Sequence, residues 1–108
     1  MPDTPSPIEY HVLLSLAKGP LYGYAIKGAV ERDSGGALTP RAGSLYRILA
    51  RLMTAGWVEE VQVEEEGEHP GRDRKYYGLT PEGRVALKDE ADRLRDVAAL
   101  AARRLGRT

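Results

Sequence analysis

The sequence predicts a mainly α fold with a small β-hairpin wing, arranged as a winged helix-turn-helix plus a long C-terminal dimerisation helix. Three observations carry this prediction. Residues 39–56 combine helix start and stop signals with apolar residues at helical spacing. Two runs of strand-forming residues, 57–63 and 74–79, flank a polar loop that contains Gly and Pro. Residues 80–105 carry a heptad pattern that begins with a Thr-Pro pair.

The composition fits one compact domain. The chain has 108 residues, of which 42% are hydrophobic and 30% charged, and these values are typical of a folded globular protein. Residues 1–79 form the predicted winged helix-turn-helix region and residues 80–108 the predicted C-terminal helix. The chain shows neither an apolar run of membrane-spanning length nor a secretory signal pattern. We therefore expect a cytoplasmic protein without membrane contact.

The first helix is predicted to begin at residues 6–9, because Ser-Pro-Ile-Glu forms a capping box. The helix that follows is apolar nearly all round, so it should be buried on two sides. A domain of this size offers one core, and a second copy of the chain is the simplest partner for the other side. We therefore place Tyr10, Leu13 and Leu14 at a contact between two copies.

A second helix is predicted over residues 22–32, with Ile26, Ala29 and Val30 facing the core. The sequence Asp-Ser-Gly-Gly at positions 33–36 ends it. The pair at positions 37 and 38 is too short to assign alone, and pairing with the wing strands is left open.

The third predicted helix carries the most informative pattern in the chain. Thr39 and Pro40 supply an N-cap and a first-turn proline, and Gly56 supplies a left-handed stop. One side carries an apolar stripe formed by Leu45, Ile48, Leu49, Leu52 and Met53. The opposite side, here called the reading face, is small and basic and contains no acid. Its members are Gly43, Ser44, Arg47, Ala50, Arg51 and Thr54.

The reading face is suited to the major groove of DNA, because small residues permit close approach and arginine can donate two hydrogen bonds to guanine. Arg47 and Arg51 are the candidate base-reading residues, and Arg41 is a candidate phosphate contact at the helix start. Solvated arginines on an ordinary surface helix are the alternative interpretation. The surrounding winged-helix pattern favours the functional one.

The wing is predicted from two strands that flank an acidic loop over residues 64–73. In the returning strand, Arg74 and Tyr76 should point to one face, and Lys75 and Tyr77 to the other.

The last helix is predicted to begin at Thr80 and Pro81 and to end near Leu105. Six of its residues, here called the heptad stripe, step by four, three, four, three and four positions: Leu87, Ala91, Leu94, Ala98, Ala101 and Leu105. A stripe of this kind is typical of helix pairing. We therefore expect it to meet a second chain and form a homodimer.

Charge and residue types exclude several classes of function. The 16 basic and 16 acidic residues cancel, so only a local concentration of basic residues can support binding to nucleic acid. The chain has no cysteine, and its two histidines, His11 and His69, are isolated. This pattern predicts no metal site, and the sequence lacks the motifs of phosphate-binding loops and activated nucleophiles. We expect no cofactor and no enzymatic activity.

Four segments resemble the PadR-like winged-helix transcriptional regulators, in their short form with one C-terminal helix. Residues 10–26 are similar to the opening helix of that family and the "plyGYeI" turn after it. Residues 43–58 match its recognition-helix pattern of Gly, Ser or Thr, Leu and Tyr followed by LxxLxxxG. Residues 74–80 and 80–83 resemble its returning wing strand and the start of its last helix.

The resemblance implies a homodimer that binds double-stranded DNA at a near-palindromic promoter site, usually as a repressor. It also implies release by a small-molecule effector, often aromatic or cationic. Ser44 and Tyr46 would contact the DNA backbone, and the wing residues Arg72, Arg74 and Lys75 would reach the neighbouring groove. The acidic residues at 64–68 depart from what a wing near phosphate needs.

A different class of function stays open at this point. The zero net charge and the acidic loop are also compatible with a winged-helix module that binds another protein and not DNA.

Overall fold

The computed structural model describes residues 4–63 and 74–106. These residues form four helices and a small sheet, and this arrangement confirms the predicted fold class. In chain order the elements are α1 Pro7–Ser15, β1 Leu21–Tyr22, α2 Gly23–Asp33, α3 Ala42–Thr54, β2 Val58–Val61, β3 Tyr76–Leu79 and α4 Pro81–Arg104.

Two helices begin at the caps that the sequence predicts. At α1, the Ser6 backbone N–H donates to the Glu9 carboxylate at 2.8 Å, and the Glu9 N–H donates to the Ser6 hydroxyl at 3.3 Å. At α4, the Gly83 N–H donates to the Thr80 hydroxyl at 2.9 Å. Each bond satisfies a first-turn amide that has no partner inside the helix, so the chain itself sets where both helices start.

The predicted start of α3 is wrong by two residues. The helix begins at Ala42 with Arg41 as its N-cap, and not at Thr39 and Pro40. The hydroxyl of Ser34 accepts a hydrogen bond from the Leu38 N–H at 3.0 Å, which ties the connecting segment to the end of α2. Pro40 is buried, so packing holds this residue in the connection before the helix.

The end of α3 is as predicted. Gly56 adopts a φ of 81°, a left-handed conformation that costs glycine little. The Gly56 N–H donates to the Met53 carbonyl at 3.0 Å, and the Trp57 N–H donates to the Leu52 carbonyl at 3.0 Å.

The sheet has three antiparallel strands in the order β1-β3-β2. Val58 pairs with Leu79 and Val61 with Tyr76, so the predicted hairpin is confirmed. The third strand comes from Leu21 and Tyr22, which pair with Tyr77 and Tyr76, and not from positions 37 and 38. The sequence signal for this strand was Leu21 and Tyr22 themselves, which directly follow the turn residues Gly19 and Pro20.

The core lies between the first three helices and the sheet. It consists of Val12, Leu13, Leu16, Ile26, Val30, Leu45, Ile48, Leu49, Leu52, Val58 and Tyr77. The inward faces predicted for α2 and α3 are confirmed, except that Met53 is 37% exposed.

Leu13 requires a correction. It was placed at a contact between two copies, but it is 0% exposed within its own chain. The side of α1 that carries Leu13 packs into the core against α2 and α4. Leu13 therefore has no surface to offer a partner, whereas Tyr10 and Leu14 are only half-buried.

The first turn of α4 is locked to the end of α3 by Gly83. This glycine is buried, and a Cβ at its position would overlap the backbone carbonyl of Trp57. The same carbonyl accepts a hydrogen bond from the Thr80 N–H at 3.1 Å. The position of α4 relative to α3 therefore depends on a residue without a side chain.

The second half of α4 is mostly exposed to solvent, and the molecule measures 58 × 30 × 24 Å. Large apolar side chains are open here: Leu94 and Val97 are 38% and 50% exposed, and Leu105, the C-cap residue, is 71% exposed. Over residues 4–63 and 74–106, no helix combines the length and apolar character that crossing a membrane requires.

Candidate nucleic-acid interface

The reading face of α3 is open to solvent along its length. Gly43, Arg47, Ala50, Arg51 and Thr54 are exposed, and Ser44 is half-buried. The opposite stripe is buried in the core at Leu45, Ile48, Leu49 and Leu52, and only its last member, Met53, is exposed. Core packing therefore turns the reading face outward.

The N-terminal end of α3 has the chemistry to receive an anion. Arg41, its N-cap residue, is exposed and makes no side-chain capping bond, and the first turn contains no acid. The amides of a first turn and the positive end of the helix dipole both favour negative charge. Arg47 lies one turn further on, and its guanidinium donates to the Ser44 hydroxyl at 3.4 Å.

The C-terminal end of α3 is different, because α1 brings an acid to it. The Arg51 Nε donates to a Glu9 carboxylate oxygen at 2.6 Å. The Glu9 side chain is 13% exposed, while that of Arg51 remains 60% exposed. The reading face carries no acid from α3 itself, as predicted, but the fold brings the Glu9 carboxylate of α1 to it.

Glu9 is held in its charged form. Partial burial opposes its ionisation, but the Ser6 backbone N–H and the Arg51 guanidinium outweigh that cost and lower the pKa of Glu9 below its ordinary value. One carboxylate oxygen serves the helix cap and the other serves Arg51. Arg51 thus links α3 to the first turn of α1.

A cleft between α2, α3 and the wing lies beside the reading face. Its volume is about 440 Å³, and it is lined by Tyr22, Gly23, Tyr24, Tyr46, Arg74 and Lys75. We call it the tyrosine–arginine cleft. Two cations and three phenols line it, and none of these six residues is an acid. The predicted DNA-contacting residues Tyr46, Arg74 and Lys75 are therefore brought together by the fold.

Contacts within the cleft fix two of its side chains. The Arg74 guanidinium carbon lies 4.6 Å from the centre of the Tyr22 ring, and that ring packs edge-on against Tyr76. The Tyr46 hydroxyl lies against Gly23, where an added Cβ would come within 2.9 Å of it. Tyr46 nevertheless remains 53% exposed.

Part of the predicted wing falls outside the described residues. Arg72, His69 and the acidic residues at 64–68 belong to the segment 64–73, which the description does not include.

Two adjoining grooves lie at the C-terminal end of α3. Their volumes are about 420 and 330 Å³, and both are lined by Thr4, Ala55 and Trp57. Glu82 and Asp89 line the larger groove, together with Glu90 and Arg93.

Glu90 and Arg93 form a compact ion pair beside these grooves. Arg93 donates to both carboxylate oxygens of Glu90, at 2.8 and 2.6 Å. These hydrogen bonds lower the pKa of Glu90 below its ordinary value. Glu90 is only 6% exposed, whereas the Arg93 side chain remains 53% exposed, so the pair joins a buried acid to a cation that stays largely in solvent.

The residues predicted for the dimer contact fall into two groups. Leu94, Ala98, Ala101 and Leu105 are exposed on the outer half of α4. Leu87 and Ala91 are half-buried on the inner half, where Leu87 packs against the core. The heptad stripe is therefore continuous, but only its C-terminal part is free of the chain's own core.

Sequence reasoning missed Glu9, Tyr22 and Tyr24 as residues of this surface. Glu9 was assigned to its helix cap alone, and nothing in the spacing showed that the first turn of α1 lies beside Arg51 of α3. Tyr24 offered a signal: it is a large aromatic at the start of α2 that lies outside the inward stripe, and it is 77% exposed.

Comparison with known proteins shows the family to which the sequence is similar. The family described as "Transcriptional regulator PadR-like family" matches residues 12–89. An uncharacterised 37.1 kDa protein in a Streptomyces fradiae transposon is 49% identical over 80 residues, which are 74% of this chain. The match covers 21% of that protein, so the chain spans about a fifth of its length.

Solved structures share the architecture. A PadR family transcription regulator from Clostridium difficile superposes with a TM-score of 0.74 at 25% identity, and the match covers 93% of this chain and 99% of the other. Bacillus subtilis PadR, solved in complex with operator DNA, gives a TM-score of 0.62 at 26% identity, over 76% of this chain and 45% of the other.

Proposed function

The chain belongs to the PadR-like family of transcriptional regulators, and on this premise we propose that it is a repressor that binds a near-palindromic promoter site as a homodimer. The carrying observation is the open, acid-free N-terminal half of α3 beside the tyrosine–arginine cleft. Amides, arginine and phenol groups converge there on one side of the molecule, and this chemistry suits a polyanion that is read through its bases.

In this proposal the N-terminal half of α3 enters the major groove. Arg47 donates to O6 and N7 of a guanine, while Gly43 permits close approach of the helix. Arg41, Ser44 and Tyr46 hold backbone phosphates at the groove edge, and the wing residues Arg72, Arg74 and Lys75 hold the adjacent strand. Arg51 is tied to Glu9, so Arg47 is the stronger candidate for base reading.

The homodimer is proposed from the exposed apolar side of α4. Leu94, Val97 and Leu105 are open on a helix with charged residues around them. Pairing of two such stripes would bury them, and Tyr10 and Leu14 of α1 would extend the contact. Two copies of α3 would then face successive major grooves, about 34 Å apart.

We place the effector that the family implies in the larger groove beside Trp57. The indole offers an aromatic surface, and Glu82 and Asp89 line the same groove, so an aromatic cation is the favoured ligand class. Trp57 is the chain's single tryptophan, and quenching of its fluorescence would report binding. A Glu82→Gln, Asp89→Asn double variant should weaken binding of cationic aromatics and leave neutral ones unchanged.

The decisive test of the function is selection of genomic DNA. Purified protein is mixed with fragmented DNA of its host, and the retained fragments are sequenced. We expect a small set of upstream regions that share a near-palindromic site. Retention of no fragment at low salt, by protein shown to be folded, would overturn the proposal.

The alternative function is a protein-binding module without DNA affinity. The exposed acids Glu59 and Glu60 on β2 favour it, because they add negative charge to the wing. Heparin chromatography separates the two ideas. A DNA-binding protein should be retained at low salt and released near physiological salt, whereas the alternative predicts passage without retention.

A further inference from the structure

We propose that the tyrosine–arginine cleft is a binding site for a single backbone phosphate of DNA, in which Tyr24 is a contact residue and Tyr22 positions Arg74. This inference rests on the proposed function, because it names the chemical group that one part of the interface holds. It assigns a role to two tyrosines that the sequence analysis left without one.

The position of Arg74 is the first step. Its guanidinium lies over the Tyr22 ring at 4.6 Å, and Tyr76 supports that ring from the side at 5.6 Å. A guanidinium held over a ring by this cation–π contact still carries N–H donors that can bind an anion. The ring thus holds the donors in place before any ligand arrives, which lowers the entropy cost of binding.

The two exposed phenols complete the donor set. Tyr24 is 77% exposed and Tyr46 is 53% exposed, and both line the cleft that holds Arg74 and Lys75. A phenol is a neutral O–H donor at physiological pH, and it donates well to phosphate oxygen. Gly23 leaves room for the Tyr46 hydroxyl, because a Cβ at this position would come within 2.9 Å of it.

The surroundings favour a phosphate that belongs to a duplex. Tyr46 directly precedes Arg47 on α3, so a phosphate in the cleft would lie at the edge of the groove that α3 reads. The cleft volume of about 440 Å³ is far larger than one phosphate group requires. A free phosphate would leave most of this open cleft to water, whereas a backbone phosphate brings its neighbouring sugars with it.

The test uses duplexes of a selected genomic site in which single phosphates are replaced by neutral methylphosphonates. Affinity is measured by fluorescence anisotropy for the wild type, Tyr24→Phe and Arg74→Ala. On unmodified DNA we expect each variant to bind about tenfold more weakly, as for loss of a hydrogen bond to a charged group. At one position in each half-site, the neutral linkage should weaken the wild type and have little further effect on either variant.

Arg32→Ala provides the matched control, since Arg32 is an exposed cation near the opposite end of α2. It should remain as sensitive to the neutral linkage as the wild type. Circular dichroism confirms that each variant is folded, and Tyr24→Phe removes only one exposed hydroxyl.

Three results would overturn the inference. Variants that bind like the wild type remove Tyr24 and Arg74 from the interface. If every neutral linkage weakens the variants as much as it weakens the wild type, then Tyr24 and Arg74 hold no particular phosphate. Selective competition by inorganic phosphate over chloride at equal ionic strength, lost in Arg74→Ala, would assign the cleft to a free anion. A wild type that binds no DNA refutes the proposed function itself, which is a separate result.

Discussion

The two ends of α3 carry the same residue type in different settings. At the N-terminal end, Arg47 is exposed and contacts only its neighbour Ser44 at 3.4 Å among the contacts described. At the C-terminal end, Arg51 is bound to Glu9 at 2.6 Å, and Gly56, Trp57 and Gly83 fasten the helix to α4. One end is free to meet a ligand, while the other is fixed to the protein.

The difference shows what helical periodicity can and cannot predict. Arg47 and Arg51 are four positions apart, so they must lie on one side of the helix. Periodicity does not show whether an arginine is free to bind a ligand. For Arg51 this depends on Glu9, which lies 42 positions away in the sequence. Separate functions for the two ends can therefore be tested by perturbing one end and measuring both stability and DNA binding.

The largest effect is expected at the fixed end. Gly83→Ala should destabilise the protein by about 3 kcal/mol, because its Cβ would overlap a backbone carbonyl that is not free to move away. Urea unfolding measures the change. Gly28→Ala is the matched control: it is also a helical glycine, but it has open space around it, so we expect unchanged or slightly higher stability.

Arg47→Ala should act at the free end alone. We expect about 10- to 100-fold weaker binding to a selected site and reduced discrimination at one base position. The free energy of unfolding should change by less than about 0.5 kcal/mol, as for other exposed residues. A loss of stability larger than this, without a loss of DNA affinity, would contradict the assignment of Arg47 to the free end.

Glu9→Gln should separate the ion pair from the helix cap. Glutamine also serves in a capping box, so the variant removes mainly the charge that Arg51 meets. We expect a loss of about 0.5–1 kcal/mol in stability and little change in DNA affinity. A double-mutant cycle with Arg51→Ala gives the coupling energy, and full additivity would show that the two residues do not interact.

Acid should weaken the same contact. The pKa of Glu9 is lower in the folded protein than its ordinary value of 4.5, so its contribution is complete above that value and is lost as the pH falls below it through the folded pKa. Stability of the wild type should fall more steeply in this range than that of Glu9→Gln. Chemical unfolding at a series of pH values measures both slopes, and parallel curves would contradict the expectation.

The smallest effect is expected on the wing. Lys75→Ala should weaken DNA binding about threefold and evenly across sequences, and it should reduce the slope of log affinity against log salt by about one. Anisotropy titrations at several salt concentrations measure it. A change in sequence preference would instead assign Lys75 to base reading.

Local signals predicted most of the fold. The cap at residues 6–9, the Thr80 cap and the Gly56 stop each act within a few residues of chain, so they could be recognised directly. The start of α3 could not, because it depends on where packing holds the segment before the helix: Pro40 is buried, and the Leu38 N–H is bound to the Ser34 hydroxyl. The strand at Leu21 and Tyr22 is two residues long and exists only because β3 pairs with it.

The site was predicted less completely than the fold. Spacing identified Ser44 and Arg47 as members of an outward face, since that depends on α3 alone. It misjudged Leu13, because an all-round apolar helix does not show which side its own core takes. It also missed the cleft, since Tyr24, Tyr46 and Arg74 come from α2, α3 and the segment before β3.

The unbroken length of α4 has a mechanical consequence. Its 24 residues span about 36 Å, and its first turn is clamped against Trp57 without a side chain at Gly83 to cushion the contact. A stiff rod clamped at one end acts as a lever: a tilt of about 10° at the clamp would displace the far tip by about 6 Å. If two chains pair along α4, as proposed, a small change at the contact between Gly83 and Trp57 would alter the spacing of the two α3 helices. One of them would then no longer match a major groove.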